Sequence, residues 1–461
     1  MPAQLGRKSL NFAVLVGKMD KSHYEEMTAR PIPGLVMSLA VPTIVSMLVT
    51  SFYNLGDTFF VSKISTQATA AVGVSFAVMA LVQAVGFMLG HGSGNFVSRR
   101  LGAQDTETAS RMLATGFVYG LGAGVAIALI GHLFLKPLCL LLGSTPTILP
   151  YTEKYLGIVL LGAPVMVPSL VLNNQIRFQG NARYSMIGIV SGALINLVLD
   201  PLLIFVFDWG IAGAAWSTVI GQVCGFCLLW HFSSRGGGIP IRFRNFSPSL
   251  DFFKEILAGG LPSFFRQGLG ALAVVCLNVA AGQFGDAAIA GMSIVSRICN
   301  FLNSALIGFG QGFQPVCGFN YGAGLYGRVR QGFWFCVKFG VLFLLVVSAA
   351  GIAFAPEIVC MFRKEDADVV RIGTAALRYQ LATLPLSTWV IISNMMLQTI
   401  RKPGKAILLA SARQGLFFIP LIFVLSSEFG LTGVEICQPV SDLCALLLAI
   451  PLTASVLKKM K

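Results

Sequence analysis

The sequence predicts an all-α integral membrane protein of twelve transmembrane helices in two six-helix lobes related as parallel repeats. Three observations predict it. Charged residues are too few to cover a water-facing surface, apolar runs of spanning length recur along the chain, and the first half repeats in the second. Lys plus Arg number 33 and Asp plus Glu 19, so charge makes up 11% of 461 residues, where a soluble domain carries about 25%. Hydrophobic residues reach 55% and mean hydropathy is +0.78. Most of the outer face of such a chain must meet lipid. Disorder, collagen, coiled coil and a soluble enzyme are excluded.

Residues 1–30 read as a cytoplasmic N-terminal tail. Its one apolar stretch, Phe12 to Val16 between Lys8 and Lys18, is too short for a signal-peptide core. A spanning helix needs about 20 mostly apolar residues. The N-lobe, 31–232, supplies six such runs, over 35–57, 68–96, 112–135, 155–176, 184–207 and 211–232. The stretch 233–254, with Gly236-Gly237-Gly238, Pro240, Arg242 and Arg244, reads as a basic cytoplasmic linker and a slack tether. The C-lobe, 255–456, supplies the other six, over 256–283, 288–316, 332–355, 372–397, 405–426 and 431–455, before a short C-terminal tail, 457–461.

The net charge of +14 has a nucleic-acid binder's size but not its distribution. Basic residues cluster in the N-tail (Arg7, Lys8, Lys18, Lys21, Arg30), in the loops after even-numbered spans (among them Arg99, Arg100, Arg177 and Arg401) and in the C-tail. The other loops hold few, together with Asp208, Asp286, Glu357 and Glu428. This is the positive-inside pattern with both termini cytoplasmic, and it calls for a lipid partner and no nucleic acid. The ten Cys, mostly inside apolar runs (Cys224, Cys227, Cys276, Cys336, Cys444), read as small packing residues rather than a disulfide or zinc framework.

The halves repeat at a near-constant offset. Pro42 corresponds to Pro262, Gly90-His91-Gly92 to Gly310-Gln311-Gly312, Gly102-Ala103 to Gly322-Ala323, and Gly210-Ile211-Ala212-Gly213 to Gly430-Leu431-Thr432-Gly433, each 220 residues on. A further marker pairs Ile176-Arg177 and Gly180 with Ile400-Arg401 and Gly404, at 224. Six helices per unit begin both units on the same side, so the halves are parallel repeats with a cleft between them, a transporter's architecture.

A charge within a spanning helix costs at least about 2.5 kcal/mol, so each one asks for a reason. Asp57 ends the first span with Asn54 one turn before it; it reads as an interfacial residue or as a cation site. In the fifth span Asn196 and Asp200 are four apart and share a face. Pro201 has no N–H, which frees the carbonyl of Leu197. Carboxylate, amide oxygen and carbonyl make a hard-cation or proton site, or else the hydrogen bonding of a kinked helix. Glu435 and Asp442 share a face of the last span and read as ion-pair partners of Arg266 or Arg297 or as a transport site. His91, in the Gly-rich second span, reads as a close-packing feature. No HExxH, Walker or Ser/His/Asp arrangement appears, so neither enzyme chemistry nor direct use of ATP is expected.

Taken together these residues resemble the multidrug and toxic compound extrusion (MATE) family. The resemblance rests on Leu39-Ala40-Val41-Pro42, Gly56-Asp57-Thr58, the run 94–103, Asn196 with Asp200-Pro201, the run 210–215, and Gly312-Phe313-Gln314-Pro315 with Asn320-Tyr321-Gly322-Ala323. The last two are most similar to the bacterial branch of MepA-like and DinF-like exporters. The resemblance implies a V-shaped, two-lobed exporter of the bacterial cell membrane, monomeric and without cofactor. It would expel small organic, often cationic compounds in exchange for H+ or Na+. It also implies a coupling site of Asp57, Asn196, Asp200 and Thr218, which would be the metal ligands under Na+ coupling. Tyr155 and Asn173 match polar residues lining the same cavity, and Asn54, Arg297 and Met292 complete the candidate substrate-contacting set. The family's acids in the seventh and tenth spans are missing here, apart from Glu255 at an edge, which leaves coupling to the N-lobe. The alternative is a lipid-linked precursor flippase of the same superfamily, which needs a strongly cationic central cavity for a diphosphate.

Overall fold

The computed structural model describes residues 21–235, 238–363 and 366–460, and among them there is no strand. Arg7, Lys8, the stretch from Phe12 to Val16, Lys18, Gly236 and Gly237, used in the reading above, lie outside the described residues, as does position 461 of the C-terminal tail. The N-lobe contains α1 (Ile32–Ser62), α2 (Thr66–Gly102), α3 (Thr106–Leu133), α4 (Leu149–Phe178), α5 (Ala182–Val206) and α6 (Ile211–Phe232). The C-lobe contains α7 (Leu250–Gly282), α8 (Asp286–Gly322), α9 (Tyr326–Ala353) and α10 (Ala367–Thr399). Its last helical run, Pro403–Leu457, is broken at Gly430 (φ 59°) into α11 (403–429) and α12 (431–457).

Most of these helices outrun the apolar stretches that announce them. At about 1.5 Å per residue, the 37 residues of α2 and of α8 reach well past a hydrocarbon core of about 30 Å. Apolarity marks only the lipid-matched part, while capping sets the helix ends. Ser65 Oγ accepts the Ala68 N–H, Asp105 the Thr108 N–H, Ser249 the Phe252 N–H, and Asp366 the N–H groups of Asp368 and Val369. Consequently Arg99 and Arg100 lie on α2 and Arg177 on α4, not in loops. The helix α7 already begins at Leu250, inside the stretch read as linker.

The repeat is visible in the backbone itself. Left-handed φ values recur at Gln104 and Gly324, at Gly180 and Arg401, and at Gly210 and Gly430. Short helices cap the third span of each half, at Leu135–Leu141 and Ala355–Cys360. Gly180 therefore corresponds to Arg401, 221 residues on, and the sequence alignment at offset 224 is corrected by three residues. The side chains agree: Asn173 Nδ2 donates to the Ser185 carbonyl, and Asn394 Nδ2 to that of Ala406, again 221 on.

Within the N-lobe α4 packs on α2, α3 and α6, and α5 on α1 and α6; within the C-lobe α10 packs on α8, α9 and α12, and α7 on α11. Between the lobes α1 meets α8 and α2 meets α7 and α8. This seam lies towards the side of the described chain ends and runs through small residues, which let backbones approach. A Cβ at Gly102 would strike the Phe319 carbonyl, and one at Gly322 the Arg99 carbonyl, a two-fold related pair. One at Gly308 would lie 2.7 Å from Ile44 Cα. Across the same seam Thr43 Oγ1 donates to the Gly308 carbonyl (2.6 Å), and Arg99 bonds the Thr399 carbonyl (2.6 Å) and Glu255 (3.2 Å). Glu255 also pairs with Arg401. Farther along the cleft the exposed Phe52 meets Phe301 at its edge, and Phe76 stands exposed.

Two segments outside the spans are ordered by the lobes. The linker is pinned rather than slack: Gln179 Oε1 accepts the Ile239 N–H (2.6 Å), Asn245 Nδ2 donates to Ser110 Oγ (2.6 Å), and Phe243 stacks on Trp230. The helix Lys21–Ala29 lies under both lobes. His23 and Tyr24 bond the carbonyls of Gln179 and Gly102, while Asn320 and Arg328 bond those of Met27 and Arg30. Cys224 and Cys227 stand in CxxC spacing on α6, yet both are free thiols, and no group of three metal-ligating side chains occurs among the described residues.

Candidate functional site

The N-lobe site begins with a close helix contact. A Cβ on Gly56 would lie 2.7 Å from Leu197 Cδ1, so α1 and α5 touch beside the residues that precede Asp57 and Asp200. Both acids are buried, and each carboxylate lies within electrostatic range of Tyr53 and Tyr155. Asp57 also lies within electrostatic range of Asp200. The sequence placed them in one lobe; the fold brings them to one place.

Asp200 Oδ1 accepts a short hydrogen bond from Ser217 Oγ. Asn196 Nδ2 donates to Ser217 Oγ (3.2 Å) and Thr218 Oγ1 (3.4 Å), which aims its amide oxygen away from both hydroxyls. Three buried oxygens consequently have no protein donor: Asp57 Oδ1, Asp200 Oδ2 and Asn196 Oδ1. Buried acceptors are ordinarily satisfied, and acceptor-only oxygens gathered together suit a proton or a hard cation. After Pro201 the α-helix gives way to a π-helical turn, Leu202–Val206, a feature frequent at functional sites.

The other candidates divide. Asn173 joins Asn196, Thr218, Tyr53 and Gln83 around a cavity of about 90 Å³. Tyr155 is wholly buried beside the acids, its hydroxyl directed at Met79 Sδ (3.9 Å). Met292 lines a larger cavity in the C-lobe. Asn54 is exposed and lines neither cavity, and so is Arg297. The cavity-facing residues of α8 are Met292, Ser296, Cys299, Asn300, Asn303 and Ile307, a stripe at helical spacing that position 297 falls beside.

The C-lobe cavity measures about 370 Å³. Asp442 faces it, but its partner is neither Arg266 nor Arg297. Arg413 binds it through Nε (2.6 Å) and Nη2 (3.4 Å), Gln438 adds a bond of 2.8 Å, and Asn303 accepts from Arg413 Nη1 (3.2 Å). Arg413 lies in the π-helical turn Ala412–Phe417 of α11. Glu435 is buried and makes no ion pair among the described residues. Between the lobes Arg177, read from sequence as a loop residue, is buried. It donates to the Gln311 carbonyl (2.7 Å) and Asn174 Oδ1 (2.6 Å), and it reaches His91 Nε2 (3.2 Å). His91 is thus a polar partner as well as a packed ring.

Sequence reasoning missed Tyr53, Ser217 and Arg413. Hydroxyls are common in apolar helices, so Tyr53 and Ser217 gave no signal. Arg413 did: it is a charge inside an apolar run, the same mark that singled out Asp442.

The family model MatE matches residues 42–202 and again 262–424. The chain belongs to the MatE family. The two matches begin at Pro42 and Pro262, the offset already seen in the backbone. The multidrug export protein MepA of Staphylococcus aureus is 26% identical over 433 residues, covering 93% of this chain and 95% of its own length. A MOP superfamily transporter from Pyrococcus furiosus, whose binding pocket of reverse polarity is said to suggest a different function, superposes with TM-score 0.89 at 26% identity, over 96% of this chain and 99% of its own. The outward-facing conformation of a multidrug resistance MATE family transporter superposes with TM-score 0.88 at 26% identity, over 94% and 99%. This MatE protein is a multi-pass membrane transporter and not an enzyme.

Proposed function

We propose that the protein is a secondary active multidrug efflux antiporter, exporting small organic, often cationic compounds in exchange for H+ or Na+ by alternating access. One observation carries the reading: Asp57, Asp200 and Asn196 present three undonated oxygens inside one lobe of a two-lobed transporter. Binding a proton or Na+ there removes negative charge, which weakens a bound organic cation and favours a different packing of α1. Antiport requires only that each ligand prefer a different arrangement of the lobes. Ser217, itself bonded by Asn196, holds Asp200, while Thr218, Asn173 and Tyr53 line the adjoining space.

The charge asymmetry of the loops supports cytoplasmic termini, and the similarity to MepA supports a bacterial cell membrane. We take 31–232 and 255–456 as the moving units, joined by 233–254, and a monomer as the working form. The flippase alternative finds less support, because Asp442 neutralises Arg413 in the C-lobe cavity. The test is export of a fluorescent organic cation from reconstituted vesicles, with a pH or a Na+ gradient imposed separately. Wild type concentrates the dye under one of the gradients, and Asp200→Asn does not. Gradient-driven accumulation by Asp200→Asn equal to wild type refutes the coupling site.

A further inference from the structure

The C-lobe cavity, on the efflux reading just given, has a charge of its own. Three ionised side chains line it: Arg266, Arg413 and Asp442. The latter two cancel, with both carboxylate oxygens engaged by Arg413 and one also by Gln438. Arg266 remains. Its bond to Asn394 Oδ1, at 3.3 Å, is to a neutral amide, and no ion pair among the described residues includes it. Its electrostatic neighbours are Arg177 and His91, on the facing lobe. Arg177 in turn is satisfied by neutral acceptors.

A guanidinium within a membrane-spanning bundle that is paired with no carboxylate favours an anion. Its planar fork matches a carboxylate with two parallel N–H···O bonds. The remaining wall is largely apolar, with Val274, Leu277, Met292 and Ile391 on the C-lobe and Phe76 and Ala80 of α2 facing them. The volume falls in the range of roughly 300–1,000 Å³ usual for drug-sized ligands. One unpaired cation suits a single negative charge and not a diphosphate. We propose that this cavity binds amphiphilic organic carboxylates, zwitterions included, with the carboxylate on Arg266 and the apolar body against α2 and α8. The protein would then read two signs of charge, positive groups near Asp57 and Asp200 in one lobe and negative groups at Arg266 in the other.

A rhodamine bearing a free carboxylate and its methyl ester share a chromophore and differ by this one charge. Fluorescence polarisation with purified full-length protein should show the acid binding roughly tenfold more tightly than the ester. Arg266→Gln should bring the ratio close to one, and Arg266→Lys should retain part of it. Gly270→Leu supplies a second variant: no atom lies within 4 Å of a Cβ at this cavity-lining glycine, so the helix accepts the side chain and the cavity fills. It should weaken acid binding at least tenfold. Equal binding of acid and ester by wild type, an unchanged ratio in Arg266→Gln, or full acid affinity in Gly270→Leu overturns the proposal. Export of the ester from vesicles is measured alongside. Failure of the binding preference with export intact removes the C-lobe site alone, whereas failure of export removes the efflux reading.

Discussion

Asp57 and Asp200 come from helices that touch through Gly56 and Leu197, and they share Tyr53 and Tyr155 as neighbours. Groups this close titrate and bind as a pair, so their mutational effects should not add. Asp57→Asn and Asp200→Asn are each expected to cut gradient-driven export by more than about tenfold, while the double variant falls within about twofold of the worse single; a double-mutant cycle on initial efflux rates measures this. Arg413 and Asp442 form the opposite kind of pair, charge against charge in a lobe interior. Removing one partner strands the other, at a cost of about 3 kcal/mol. Asp442→Leu should therefore lower the unfolding midpoint in detergent more than the double change Arg413→Leu with Asp442→Leu, in which no charge is left behind. Asp57 and Asp200 were readable from sequence as candidates because a carboxylate in an apolar run is costly wherever it lies. Ser217 and Tyr53 were not, since their role is set by partners on other helices and not by their own chemistry.

Among the helices, the contact of α1 with α8 depends on what Gly308 lacks. A methyl group there meets Ile44 Cα at 2.7 Å, and that atom belongs to backbone and cannot rotate away. Gly308→Ala should push the two helices apart and slow transport. Cys317, wholly buried on the same helix, provides the reporter: kept as the single cysteine, it should react with a membrane-permeant maleimide several-fold faster in Gly308→Ala than in its parent. Spans and repeat were legible at this scale because lipid contact and duplication both write themselves into composition and spacing. The pinned linker was not. Its Gly and basic residues signal a loop, and only the fold brings Phe243 to Trp230 and Asn245 to Ser110. The register error had a similar origin: Arg177 and Arg401 look alike in sequence, yet one is buried between the lobes and the other stands exposed in a left-handed turn.

For the molecule as a whole, the lobes join on the side of the chain ends and still touch at Phe52 and Phe301, while Phe76 stands exposed. Alternating access then requires the far ends to approach while the seam opens. Cysteines introduced at Lys63, after α1, and Gln283, after α7, bridged by a long bifunctional maleimide, should stop export without changing the melting temperature. Normal turnover in the bridged protein would exclude lobe motion as the transport step.

The helix Lys21–Ala29 runs directly into α1, so it travels with the N-lobe, yet Asn320 and Arg328 of the C-lobe grip its Met27 and Arg30 carbonyls. It works like a latch bolted to one door and caught on the other. Two such bonds, at about 1 kcal/mol each, are enough to bias a two-state equilibrium by more than tenfold. Arg328→Gln and Asn320→Ala should each leave drug affinity at the far-side cleft almost untouched and yet raise the passive leak of dye without any gradient. What holds the two lobes together on that side is then, in part, a nine-residue helix that belongs to neither lobe's bundle.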